Sequence, residues 1–388
     1  MFIDIPSNPP ITDDIACSKA DDLAQWIQRS GSLPLTLYLN RGPFREQLDV
    51  TGPTAPIADV LTGYATRWEA VYLRGTIDIG WIHCPLLRLG DLNAWSSLRR
   101  LSLLEIHSIG SIETTIPWAQ LTHLEIDVDY FLNRTVDALR ESQELTWLSI
   151  SICRPTLLVL SCPPLILPDL VTLHLTTESR RHLTTLMNHI SSPSPREMFI
   201  PRFILYGGDD ELALLGFLTR SACALDKLEI GELDFTGGSI VHVLAHQCCN
   251  SLTSLTISGR SRLFPANYFL IEDEFFERLS LYHDKPLCTR LRFLILEHYL
   301  LGWASSSALL GMVKSRIESR AGDGRLHFLS LKMKHFTHRD EQELEDIIRW
   351  SRMDYTLRRE RKNPVTKFNV GLDSRSVDMY FSDSVQFE

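Results

Sequence analysis

The chain has 388 residues, 44% of them apolar, enough to bury a large core in two or three compact domains or in one elongated array. A formal net charge of -9, from 48 acidic against 39 basic side chains, argues against a general polyanion-binding surface and removes DNA and RNA from the expected partners. The start, MFIDIPSNPPITDD, lacks the basic residues and apolar core of a secretory signal, and the most apolar window, 157–168, is too short to span a bilayer. Eight cysteines are scattered without a CxxC pair, so the expectation is a cytoplasmic or nuclear protein with reduced thiols and no membrane partner.

In chain order, residues 1–31 read as a lead with a short helix, 32–338 as a repeat array, and 339–388 as a cap helix and tail. LPLTLYL at 33–39 supplies the first alternating run, and a relaxed unit follows at Trp68, Val71 and Leu73. A strict pattern then sets in: Leu, two residues, Leu, one residue, Leu or Ile. It begins at Leu98, Leu121, Leu145, Leu170, Leu225, Leu252, Leu291 and Leu326, with another relaxed copy placed at Pro201, Ile204 and Tyr206. Starts from Leu98 to Leu170 lie 23 to 25 residues apart, and later gaps are longer, which implies insertions. A period in the twenties with LxxLxL is the spelling of a leucine-rich repeat.

Helix-forming stretches with helical apolar spacing fall between many of these units, at 135–142, 181–190, 211–222, 239–249 and 307–320. One strand-helix unit cannot cover its own apolar face, so neighbours must stack. The expected fold class is α/β: a curved leucine-rich-repeat solenoid, a horseshoe with an inner parallel sheet and outer helices. Insertions such as 152–169 and 259–290 are expected to leave at the ends or on the convex side. In the segment 339–362 acids come first and bases last, which suits a helix through its macrodipole, and KFNVGLD and VDMYFSD beyond it are expected to add a closing strand or two.

Strand pleating places motif positions 4 and 6 in the core and positions 3, 5 and 7 on the inner face. Arg100, Ser102 and Leu104 should therefore project from one unit, and His123, Glu125 and Asp127 from the next. Trp147, Ser149 and Ser151 follow, then Thr172, His174 and Thr176. The relaxed unit offers Phe203, Leu205 and Gly207, and the later units offer Lys227 with Glu229, Ser254 with Thr256, Phe293 with Ile295, and Phe328 with Ser330 and Lys332. Mixed charge with four large aromatics, Trp147, Phe203, Phe293 and Phe328, suits a protein partner, because aromatic anchors inside a polar rim carry most interface energy. The expected partner-binding set is His123, Glu125, Asp127, Trp147, Ser149, His174, Phe203, Lys227, Glu229, Phe293, Phe328 and Lys332.

Enzyme signatures are weak. His242 and His246 stand four apart with Cys248 and Cys249 following, a spacing that two zinc ligands can use, but Val243 occupies the place of the glutamate in HExxH and no third ligand is evident. No GxSxG elbow and no phosphate loop occurs. The expectation is a non-enzymatic protein with no metal and no cofactor, and a metal-dependent hydrolase is the remote alternative.

WIQRSGSLPLTLYLN, Trp26 to Asn40, followed by LxxLxL units of uneven length, resembles the region after the F-box in fungal F-box/leucine-rich-repeat proteins. The resemblance covers nearly the whole chain. It implies the substrate-binding part of an F-box subunit of a cullin-RING ubiquitin ligase, in which a helical F-box docks a Skp-type adaptor and the repeats capture the protein to be ubiquitinated. MFIDIPSNPP resembles the strand and turn that follow the F-box, so the repeat region stands here without a recognisable F-box, and adaptor binding is expected only if one is restored upstream. A stand-alone interaction scaffold is the alternative.

Overall fold

The structure, a computed structural model, describes residues 2–5, 13–41, 55–74, 95–104, 116–128, 132–152, 164–177, 180–202, 209–231, 237–258, 271–300, 306–318, 325–334, 339, 342–344, 346–347, 354–359 and 366–371. It is mixed α/β, built on a large parallel sheet with helices between strands, and divides into two compact units, Met1–Leu225 and Asp226–Glu388.

The first unit opens with β1 (Phe2–Ile5), α1 (Asp13–Arg29), β2 (Leu35–Arg41), α2 (Ala55–Gly63), β3 (Trp68–Arg74) and β4 (Arg100–Leu104). It continues with β5 (His123–Val128), α3 (Leu132–Glu141), β6 (Trp147–Ile152), β7 (Leu165–Ile166) and β8 (Thr172–Thr177). It closes with α4 (Arg180–His189), β9 (Ile190–Ser191), β10 (Glu197–Arg202) and α5 (Asp209–Ser221). Its main sheet runs β1-β2-β3-β4-β5-β6-β8-β10, every neighbouring pair parallel, while β7 and β9 pair separately. The sheet thus begins inside the lead, with Ile3 opposite Leu39.

Leucine spelling sets this register. Leu101 and Leu103 lie opposite Leu124 and Ile126, which lie opposite Leu148 and Ile150, then Leu173 and Leu175, and all are buried. A slip of one residue would turn each apolar pair outward, so burial fixes the pairing. The motif's second residue ties each unit to the next. The Thr122 carbonyl accepts the N–H groups of Thr146 and Trp147 at 2.9 and 3.0 Å, and the Thr146 carbonyl accepts those of Val171 and Thr172 at 2.8 and 3.0 Å. Threonine at that place adds a side-chain bond: the Thr122 hydroxyl donates to the Arg99 carbonyl at 3.1 Å and the Thr146 hydroxyl to the Thr122 carbonyl at 3.0 Å.

One expectation needs correction in this unit. The relaxed repeat is not at Pro201. It starts at buried Pro195, with Met198 opposite Leu173 and Phe199 opposite His174. The reason is that Met198 and Ile200, both fully buried, fill the core positions that leucine and isoleucine hold elsewhere, and Pro201, lacking an N–H, coincides with a shift in the ladder between Phe199 and Arg202. Phe203, Leu205 and Gly207 lie outside the described residues.

Helices cover the leucine side. On α1, Ala16, Ala20, Leu23 and Ile27 are buried at three- and four-residue spacing, one stripe of an amphipathic helix. Helices α1 and α2 pack together, as do α4 and α5, and α4 also packs on β8. Arginines satisfy carbonyls that helix ends leave open. Arg67 donates to the Ile27 carbonyl at 3.1 Å and the Leu33 carbonyl at 2.9 Å beyond α1, and Arg220 on α5 donates to the Met187 and Ile190 carbonyls at the end of α4.

The second unit contains β11 (Lys227–Gly231), α6 (Gly237–Leu244), β12 (Ser254–Ser258), α7 (Asp273–Leu279) and β13 (Phe293–Leu300). After these come α8 (Ser306–Glu318), β14 (Phe328–Lys334), β15 (Asp354–Arg359) and β16 (Thr366–Gly371). Strands β11 to β14 are parallel, and β16 and then β15 add to the β14 edge antiparallel. Within this unit Arg316 on α8 is fully buried. It donates to the carbonyls of Leu279 at 2.8 Å, Leu287 at 3.0 Å and Cys288 at 3.1 Å, fastening the turn after α7. Burial lowers the Arg316 guanidinium to about 10 and raises the Cys288 thiol to about 12.

The segment expected as one cap helix over 339–362 is corrected as well. Helical backbone occurs at 342–344 and 346–347, but Asp354–Arg359 is strand β15. Tyr355 and Leu357 alternate with Thr356 and Arg358, and six cross-strand pairs with β16 outweigh a macrodipole term of about 0.3–1 kcal/mol. KFNVG does form a closing strand, with Phe368 opposite Leu331. VDMYFSD lies outside the described residues.

Candidate functional site

Because parity buries positions 4 and 6, positions 3 and 5 of successive strands form two rows on the opposite face of each sheet. In the first unit one row runs Ala70, Arg100, His123, Trp147, Thr172, Glu197, and the other Tyr72, Ser102, Glu125, Ser149, His174, Phe199. Aromatic and imidazole rings line up across these rows. His123 stacks toward Trp147 with centroids 6.3 Å apart, Trp147 tilts against His174 at 5.5 Å, and His174 stacks on Phe199 at 4.0 Å. At the other end Tyr38 and Tyr72 stack at 4.4 Å, their planes nearly parallel at 7°.

Polar groups sit among the rings. The Ser102 hydroxyl donates to Glu125 Oε2 at 2.6 Å. Arg100 is exposed and lies near both Tyr72 and His123. Burial, reinforced by the Arg100 charge, lowers the His123 pKa. Burial raises that of Tyr72, an effect that Tyr38 adds to and Arg100 opposes.

The chain matches no protein-family model and no curated protein.

Of the residues the pattern singled out, His123, Glu125, Trp147, Ser149 and His174 stand together on the first unit's open face, each partly buried. Asp127 shares that parity, but it is only 9% exposed, and Ser102 only 3%. The pleat decides which face a residue takes, whereas its exposure depends on the height of its neighbours, and short side chains beside rings are screened. In the second unit, Lys227, Ser254, Phe293 and Phe328 form one row and Glu229, Thr256, Ile295 and Ser330 the next. Phe293 is 43% exposed and its ring centroid lies 6.4 Å from that of Phe328 and 6.3 Å from that of His327, while Lys332 stands opposite Glu297 in the strand register.

Tyr38, Tyr72 and Phe199 belong to this face and lie outside the strict LxxLxL units. Parity alone would have found the tyrosines, since LTLYL and AVYL place them between core residues. Phe199 was hidden by a unit that begins with proline and carries methionine for leucine.

The histidine-cysteine cluster forms a turn. His246 caps the short 3₁₀ helix Gln247–Cys249, its Nδ1 accepting the Cys248 N–H at 3.3 Å, and burial lowers its pKa. Cys248 and Cys249 are buried, and the Cys249 thiol donates to the Val243 carbonyl at 3.5 Å. Among the described residues no group of three His, Cys, Asp or Glu side chains is arranged to hold a metal ion, and no helix is long and apolar enough to cross a membrane.

Proposed function

We propose that this chain is a leucine-rich-repeat horseshoe whose inner sheet face recognises another protein, as the substrate-binding part of an F-box subunit of a cullin-RING ligase does. The observation that carries the reading is the ring row of the first unit: Trp147 is a large apolar group left partly exposed between His123 and His174, on the face away from the leucine core. A ring of that size, flanked by polar groups such as Glu125 and Ser149, has the make-up of an interface centre.

A photo-crosslinking residue at Ser149, compared with one at exposed Asp137 on α3, tests this in cells of the natural source. The expected result is a protein adduct from Ser149 that Trp147→Ala abolishes and Asp137 does not give. Adducts of equal yield from both positions would discard the reading. Co-purification of the chain with a Skp-type adaptor would favour the ligase assignment, and its failure beside a Ser149 adduct would favour the stand-alone scaffold.

A further inference from the structure

Resting on that protein-recognition reading only for the kind of partner, we infer that the row Lys332, Lys367, Arg358 on the second unit takes an acidic, extended segment of a protein. The closing strands create the row. Lys332 on β14 stands directly opposite Lys367 on β16, and Lys367 directly opposite Arg358 on β15. Apolar residues fix which face this is: Leu331, Phe368 and Leu357 line up across the same three strands, as do Leu329, Val370 and Tyr355, and Leu329 and Leu331 are buried. Alternation therefore places the three cations on the face away from the leucine core.

Charge at this end of the sheet is one-sided. Lys334, two residues beyond Lys332, shares the face, so among the described residues four cations stand there against one carboxylate, Glu297, opposite Lys332 on β13. The other acids of the face are distant: Glu229 lies three strands from β14 and Asp354 four residues from Arg358, each roughly 13 Å or more away. Glu343 and Asp346 belong to the helical stretch after β14, whose Leu344 is fully buried in the core. A chain with net charge -9 thus gathers cations where its own fold supplies few counter-charges.

Like charges directly opposite one another in a sheet repel. Protection of an open edge explains Arg358 on the outermost strand, but not Lys332 and Lys367, which stand two strands and one strand in from it. An anionic segment laid across the row offsets the repulsion. At a strand spacing of about 4.8 Å the row spans roughly 10 Å, about three residues of an extended chain. Lysine is a point charge without the guanidinium's fork, so a row with more lysine than arginine suits charge spread along a segment better than a single phosphate. Four cations also fall short of the roughly six to ten phosphate contacts of a nucleic-acid groove.

Fluorescence polarisation of the full chain with three labelled octapeptides tests the assignment: alternating Glu-Thr, Gln-Thr and Lys-Thr. The Glu-Thr peptide should bind about tenfold more tightly than the Gln-Thr peptide and weaken as salt rises, and the Lys-Thr peptide should not bind. Replacing Lys332, Lys367 and Arg358 together by Gln should abolish the preference for Glu-Thr without lowering the thermal midpoint, because a repulsion is removed, and each single Gln replacement should weaken Glu-Thr binding several-fold. Exchanging cation for cation, as Lys332→Arg, Lys367→Arg and Arg358→Lys, should preserve the preference, and so should Lys314→Gln at an exposed position on α8. Indifference to peptide charge, binding of none of the three, an undiminished preference in the Gln variants, its loss in the cation-for-cation variant, or equal affinity for an oligouridylate would each overturn the inference. The Ser149 crosslink decides the ring row of the first unit separately, so either result stands without the other.

Discussion

Trp147 and Leu148 are adjacent in sequence and opposite in consequence. Leu148 is fully buried opposite Leu124 and Leu173, so Leu148→Ala should cost about 2–5 kcal/mol in urea unfolding through the cavity it leaves. Trp147→Ala should leave the unfolding midpoint near that of the parent while weakening partner binding by about 2 kcal/mol. A collapse of stability in Trp147→Ala would place that ring in the core instead. Arg316 offers a second residue-level check, since its buried guanidinium satisfies carbonyls spread from Leu279 to Leu291. Arg316→Leu should cost on the order of 3 kcal/mol, because the carbonyls lose their donors together, and Arg316→Lys should not restore stability, because one ammonium lacks the guanidinium's fork. Urea titration of both variants decides it. The same packing should make Cys248, Cys249 and Cys288 inert, whereas Cys17 on α1 is exposed. Pulsed alkylation read by mass spectrometry should label Cys17 in the native protein and the other three only in denaturant.

At the scale of elements, the closing strands are the most testable feature. Strand β14 presents its free edge to β16, with Leu329 opposite Val370 and Leu331 opposite Phe368. A chain ending at residue 347 would expose that edge, and it should self-associate at concentrations where the full chain is monodisperse by light scattering. Unchanged monodispersity would mean that the edge is protected in some other way. These strands also show how far pattern reading reaches. KFNVG is legible as a strand from its alternation, whereas in DYTLRR the acid-to-base charge order favours a helix and masks the alternation of Tyr355 and Leu357. Period and parity recovered β4, β5, β6 and β8 and put His123, Trp147 and His174 on one face. They could not recover β10, whose core pair is Met198 and Ile200, nor the ring contacts, which depend on side-chain rotation rather than on spacing. The arginine anchors were illegible for a related reason: Arg67, Arg220 and Arg316 reach carbonyls 25 to 40 residues away in sequence.

Across the whole molecule, pH gathers effects that no single element shows. His123 on β5, His246 after α6 and His327 before β14 all have their pKa lowered, chiefly by burial, with Arg100 adding to the first and Arg292 and Arg325 to the third. Burial disfavours the charged imidazole in the fold, so the unfolded chain binds protons more readily in the window just below 6.5. The sign follows from that difference: each histidine leaves stability intact above about pH 6.5, and stability falls as pH drops through the histidine's lowered folded value. The net negative charge also shrinks as pH falls toward the sequence pI of about 5.8, weakening the repulsion that keeps copies apart. The thermal midpoint should therefore decline from pH 7 to pH 5, with light scattering rising as pH nears 5.8. Replacing His123, His246 and His327 together by Gln should flatten the decline in midpoint. If the triple variant follows the parent's midpoint at every pH, carboxylates rather than buried imidazoles govern the acid limb.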